Sequence, residues 1–195
     1  MESDNRNVID KYKNWATDLI KSDISSKTFP YATLMDHWGD FNFSTMIRNA
    51  NAFAAKEVFY CGKRKWDRRG AQGTYNYTSV SFLEDLDSIK ALTEKYQLIA
   101  IDNVSGAIPL NLFDWPDNSL MIFGSEGEGI SKDILNLCER IVEIPMYGSV
   151  RSLNCGTSSG IVMADYVRKY QENCAHLQYT HWNNECPTCR LTLKY

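Results

Sequence analysis

Short apolar runs alternate with amphipathic stretches along most of this chain, and that alternation predicts its elements. The runs at 31–35, 58–61, 97–102, 119–123 and 141–144 are too short for helices and read as buried strands. Between the first two, Phe43, Met46, Ile47, Ala50, Phe53 and Ala54 fall on one helical stripe, with Asn42 placed to cap it. Val8, Ile9, Tyr12, Trp15, Ala16, Leu19 and Ile20 form another stripe and predict an amphipathic helix over 8–20. Ser81 and Glu84 match a capping box, predicting a helix through Phe82, Leu83, Leu86, Ile89 and Leu92. The stretch 62–73 reads as a polar loop or a short helix. A brief helix is expected around Leu135, and a last one over 155–170 through Ile161, Val162, Val167 and Tyr170. Strands that alternate with helices imply an α/β fold, its mostly parallel sheet covered on both faces. The rhythm stops after Asn173. The expected organisation is an N-terminal helix within 1–28, a domain over 29–173 and a tail over 174–195.

Composition narrows the class. At 195 residues, 44% apolar and 12% aromatic, the chain can bury one real core. Six cysteines lack a disulfide framework, the N-terminus lacks the apolar core of a signal peptide, and no run is long enough to span a membrane. These features predict a soluble cytoplasmic protein without a membrane partner. A net charge of −3 does not advertise a nucleic-acid partner globally. Locally, Lys63, Arg64, Lys65, Trp66, Arg68 and Arg69 make one dense basic segment, a candidate RNA contact whose indole could stack on a base. A solvated loop with Trp66 tucked inward is the alternative. The tail's His176, His181, Cys186 and Cys189 are zinc-ligand types, but one CxxC with loosely spaced histidines favours an ordinary reduced tail, so no metal is expected.

Three strings stand where strands hand over to helices or turns: NFSTMIR at 42–48, FGSEGEGI at 123–130 and IPMYGSVRSLN at 144–154. In an open α/β sheet, ligands collect at such places. The glycine spacing at 124–129 is G-x-x-G-x-G, neither a dinucleotide fingerprint nor a P-loop. Glu126 and Glu128 in that loop would repel a phosphate. They suit a ligand without phosphates or with positive charge, such as S-adenosylmethionine. A tight turn with solvated glutamates is the other reading.

Together the strings resemble, in order and separation, the three signatures of the SPOUT superfamily in its SpoU/TrmH branch of RNA ribose 2′-O-methyltransferases. The resemblance covers about residues 30–172. Where the family commonly has Gly, Gly and Asn, this chain has Ser44, Ala54 and Ser125. The resemblance implies a SPOUT-type parallel sheet with a C-terminal deep trefoil knot over about 120–164. It also implies a homodimer, with the helices at 8–20 and 155–170 as candidate interface. Its cofactor would be S-adenosyl-L-methionine, leaving S-adenosyl-L-homocysteine, and its substrate tRNA or rRNA rather than DNA, which lacks the 2′-hydroxyl.

Residue roles follow from the same resemblance. Arg48 is the central catalytic candidate; a guanidinium pKa above about 12 makes it a poor base, so binding the adjacent phosphate and stabilising alkoxide character suits it better. Asn42, Glu126, Ser152 and Asn154 complete the catalytic set. Asn42 caps its helix and orients Arg48 or the ribose, although capping alone would explain an Asn there; Glu126 anchors Arg48 or a substrate hydroxyl; and Ser152 and Asn154 bond the ribose or neighbouring catalytic groups, or simply cap the next helix. Phe123, Gly124, Glu126, Gly127, Ile144, Met146, Leu153 and Asn154 are the candidate donor-binding residues, and Arg151 is a further phosphate contact. Two competitors remain: a catalytically inactive SPOUT-like RNA-binding protein, and a nicotinamide-dependent dehydrogenase, against which the missing G-x-G-x-x-G speaks.

Overall fold

The structure, a computed structural model, describes residues 6–36 and 41–178. Its centre is a parallel sheet of seven strands: β1 Phe29–Met35, β2 Ala55–Tyr60, β3 Val80–Phe82, β4 Gln97–Ile101, β5 Ile108–Pro109, β6 Ser119–Phe123 and β7 Arg140–Glu143. They lie in the order β3-β2-β1-β6-β4-β7-β5. The chain runs outward from β1 through β2 and β3, then crosses to fill the other side, so strand order reverses beside β1. Alternate residues of the central strands serve two cores. Tyr31 and Met35 join Phe43, Met46, Ile47, Val162 and Tyr166 beneath helices α2 (Asn42–Ala52) and α5 (Cys155–Gln178). Ala32, Leu34, Leu98, Leu120 and Ile122 face Ile89 and Ile134, on α3 (Leu86–Ala91) and α4 (Lys132–Leu135). Burial on both faces explains the continuous apolar runs of β1 and β6. Buried hydroxyls are satisfied: Tyr31 donates to the Phe53 carbonyl at 3.0 Å and Tyr166 to that of Asp117 at 2.6 Å.

Several expected boundaries shift for identifiable reasons. The predicted helix over 8–20 is interrupted: a 3₁₀ turn at Asp10–Tyr12 ends near Asn14, whose φ of 65° leaves the helical region, and α1 occupies Thr17–Ser25. On the predicted stripe Ile9 and Leu19 stay 66% and 60% exposed, and only Ile20 is buried. The capping-box match at Ser81 is overridden by sheet pairing, since Val80, Ser81 and Phe82 pair in parallel with Val58, Phe59 and Tyr60. Asp85 caps α3 instead, accepting from the Ser88 N–H at 2.8 Å. The last helix runs past the expected tail boundary to Gln178. His181, Cys186 and Cys189 lie outside the described residues, as does the side chain of His176. Among the described residues no helix is long and apolar enough to cross a membrane, and no metal-ligating cluster occurs.

Candidate active site

The C-terminal ends of β4, β6 and β7 release three loops, 102–104, 124–130 and 144–154, that surround one cavity of about 740 Å³. The glycine loop closes on itself. Ser125 and Gly129 exchange two backbone hydrogen bonds of 3.1 Å, and Gly127 and Gly129 take φ of 94° and 70°, which only glycine adopts without strain. A Cβ on Gly124 would fall 2.1 Å from the Gly129 carbonyl carbon, so that position admits no side chain.

Asp36, at the end of β1, brackets this loop at both ends. Its backbone N–H donates to the Phe123 carbonyl at 2.8 Å, and its carboxylate, 1% exposed, accepts from the Ser131 N–H at 2.8 Å. The Cys61 thiol donates to the same carboxylate at 3.2 Å. Sequence reasoning passed over Asp36; an aspartate closing an otherwise apolar strand was the available signal.

Residues from all three strings meet at one junction. The Asn42 amide donates to Glu126 Oε1 at 2.9 Å, and the Asn154 amide donates to the same oxygen at 2.7 Å. Asn154 also donates to Asn42 Oδ1 at 2.8 Å. Its own carbonyl oxygen accepts from the Thr157 N–H at 3.2 Å, capping α5. Asn154 therefore both caps and connects. The expectation that Asn42 caps α2 is corrected: it is the first helical residue, and its side chain makes no cap bond. Sharing Glu126 with Asn154 is the competing use of that amide.

Close helix packing fixes this geometry. A Cβ on Gly156 would lie 2.9 Å from the Thr45 side chain, and Asn49 donates to the Gly156 carbonyl at 2.8 Å and to Ser159 Oγ at 3.0 Å. Helices α2 and α5 are thereby pinned face to face, which carries the first string to the third.

The predicted donor-binding residues Phe123, Gly124, Glu126, Gly127, Ile144, Met146, Leu153 and Asn154 all line the cavity, together with Arg151 and Ser152. Ile101, Asp102, Asn103 and Val104 line it too and were not anticipated, because nothing in their local pattern marks the turn after β4. Asp102, Glu126 and Glu128 set three carboxylates there against the one guanidinium of Arg151. Cys155 is on the wall, but burial, with the Glu126 charge adding to it, pushes its thiol up to about 12. A neutral thiol is no nucleophile at physiological pH.

Arg48 stands apart. It is exposed on α2, its guanidinium makes no hydrogen bond or ion pair among the described residues, and it does not line the cavity of its own chain. The basic segment lies against the same helix. Ser44 donates to the Asp67 carbonyl, and Gly70 packs so near that a Cβ there would come 2.8 Å from Ser44 Cβ. Trp66 is half-buried, edge-on to Phe43 at 5.2 Å and Tyr75 at 5.8 Å, which matches the inward-tucked alternative. Lys63, Arg64, Lys65, Arg68 and Arg69 stay exposed, with Arg64 over Phe82, Arg68 over Tyr75 and Arg69 paired to Asp67.

Residues 34–164 match the model of the SpoU rRNA Methylase family. The chain is 25% identical over 142 residues to a tRNA (guanosine(18)-2′-O)-methyltransferase of Aquifex aeolicus, covering 68% of this chain and 66% of that one. It thus spans only about two thirds of that relative's length. Among solved structures, the A. aeolicus TrmH/SpoU tRNA modifying enzyme superposes with a TM-score of 0.72 at 18% identity, over 80% of this chain and 83% of the other. The SpoU methyltransferase AviRb of Streptomyces viridochromogenes, in complex with AdoMet, gives 0.66 at 23% identity, over 72% and 57%. At these identities the superpositions establish the fold.

Proposed function

The chain belongs to the SpoU rRNA Methylase family, and from that premise we propose that it is an S-adenosylmethionine-dependent methyltransferase acting on a ribose 2′-hydroxyl of tRNA or rRNA. The observation that carries this is the junction of Asn42, Glu126 and Asn154 on the cavity wall. Three separate strings supply one carboxylate and two amides, all mutually bonded. A protein that had merely kept the fold would have no need of that cluster.

The cavity suits the donor. Its volume of about 740 Å³ lies in the range of nucleoside-sized ligands. Its carboxylates and lack of lysine disfavour phosphates and suit a sulfonium carried on adenosine. The residues that would hold it are the glycine loop, Ile144, Met146, Leu153 and the turn after β4. When bound, S-adenosylmethionine supplies an electrophilic methyl group. The chain's own task is to hold the ribose oxygen in line and steady the charge that develops on it. Asn42 and Asn154 fix Glu126 in one orientation, so that its second oxygen is available to a substrate hydroxyl or a guanidinium. Ser152, on the same wall, adds a hydroxyl. Arg48 binds the neighbouring phosphate and stabilises alkoxide character.

Since Arg48 lies outside the cavity of its own chain, the proposed functional unit is a homodimer in which the first string of one copy borders the cleft of the other. The knot over about 120–164 belongs to the same proposal, as does action in the cytoplasm. The cations at Lys63, Arg64, Lys65, Arg68 and Arg69 supply phosphate contacts, with Arg151 at the cavity mouth. The test is transfer of labelled methyl from S-adenosylmethionine to RNA and to DNA of the same sequence, with Arg48→Ala alongside. Transfer to RNA alone, lost in Arg48→Ala while donor binding persists, is expected. Equal transfer to DNA, or an Arg48→Ala protein of full activity, would overturn the proposal.

A further inference from the structure

Asp102 is the first residue after β4, on the cavity wall, and has no part in the Glu126 junction. Its Oδ1 accepts from the Asn103 N–H at 2.7 Å, while its Oδ2 accepts no hydrogen bond among the described residues. That free oxygen would lie 3.1 Å from a Cβ on Gly129, so the carboxylate rests against bare glycine backbone. Asn103 donates its amide to the Arg151 carbonyl at 2.9 Å, tying the turn to the loop 144–154. The result is an acceptor held from two sides and left open towards the cavity.

Its place relative to the glycine loop indicates which end of a ligand it meets. Glu126 and Glu128 sit at the loop's tip, beyond the pairing of Ser125 with Gly129, and Asp102 sits at its base. The tip carries the junction assigned above to the reacting end. The base lies at the strand ends, where a carboxylate can accept from both hydroxyls of a nucleoside diol, a neutral group that needs acceptors rather than charge. Gly129, having no side chain, gives the carboxylate the space it occupies at the loop's base.

We propose that Asp102 reads the ribose of the bound donor, accepting hydrogen bonds from its 2′- and 3′-hydroxyls, with Asn103 as the positioning residue that holds the turn in place. This rests on the donor reading above, and calorimetry on three probes separates the two. The probes are S-adenosylhomocysteine, 5′-methylthioadenosine, which lacks the amino-acid end, and 2′,3′-dideoxy-5′-methylthioadenosine. Wild-type protein is expected to bind the dideoxy probe at least roughly tenfold more weakly than methylthioadenosine. Asp102→Ala should weaken S-adenosylhomocysteine and methylthioadenosine alike by roughly 10–100-fold, the range for a charge-assisted hydrogen bond, and erase the discrimination against the dideoxy probe. Asp102→Asn, which keeps one acceptor, should fall between. If Asp102→Ala weakens S-adenosylhomocysteine but leaves methylthioadenosine unchanged, the carboxylate serves the amino-acid end and the proposal is overturned. Equal wild-type affinity for the diol and dideoxy probes overturns it without recourse to any variant. If wild-type protein binds none of the three, the donor reading itself fails, and this proposal with it.

Discussion

Replacing Asn154 by Asp leaves the α5 cap intact and removes everything else the amide does. The carboxylate can still accept from the Thr157 N–H, and negative charge at a helix N-terminus is favourable by about 0.3–1 kcal/mol. Lost are the two donations to Glu126 and Asn42, at 2.7 and 2.8 Å, each contributing about 1 kcal/mol. A carboxylate now faces the Glu126 carboxylate. Relaxed to about 4 Å, that repulsion costs about 1 kcal/mol in bulk water and about 4 kcal/mol at an effective dielectric of 20. Both side chains are exposed, so the lower figure applies. The balance is a loss of roughly 2 kcal/mol, a fall in Tm of roughly 4–8 °C for a chain of this size. A thermal melt at pH 7.5 measures the stability term, and single-turnover methyl transfer measures the site, where a fall of at least roughly tenfold is expected. If Asn154→Asp melts at or above the wild-type temperature at pH 7.5 and transfers methyl normally, Asn154 is a cap and nothing more.

Three further outcomes follow from local geometry. Gly124→Ala should abolish binding of S-adenosylhomocysteine by calorimetry, because its Cβ would collide with the Gly129 backbone, whereas Gly148→Ala, whose Cβ meets nothing within 4 Å, should bind normally. Ala54 takes φ of 51°, a left-handed conformation that glycine adopts without strain; Ala54→Gly should stabilise the fold by about 1 kcal/mol and raise Tm by roughly 2–4 °C. Asp23 accepts from Lys11, Lys27 and Tyr12, which holds its carboxyl below the usual range. It therefore stabilises the N-terminal segment above about pH 4 and ceases to as pH falls further. Asp23→Asn should hasten amide exchange in α1 at pH 7 and change nothing at the lowest accessible pH.

The strands that became the sheet's centre were legible because burial on both faces leaves unbroken apolar runs; 119–123 matches β6 to the residue. β3 and β5 were not, because three and two residues carry no period, and only the neighbours β2 and β7 make them strands. The broken N-terminal helix shows the converse: a good stripe fails when Asn14 turns the backbone away and no surface among the described residues covers Ile9 and Leu19. At the site, Asn42, Glu126 and Asn154 were found by resemblance, and the structure adds the bonds that join them. Asp36 offered only the break it makes in an apolar run, and Asp102 offered nothing local, because the neighbours that define their places, Ser131 and Gly129, lie far away in the chain.

Where the methyl group lands tests the ribose assignment most directly. RNA treated with the protein and S-adenosylmethionine can be digested to nucleosides and analysed by mass spectrometry. A single 2′-O-methylnucleoside, its added mass on the sugar fragment, is predicted. A methyl group on the base fragment, or RNA left unmodified by a protein that binds the donor, would contradict it.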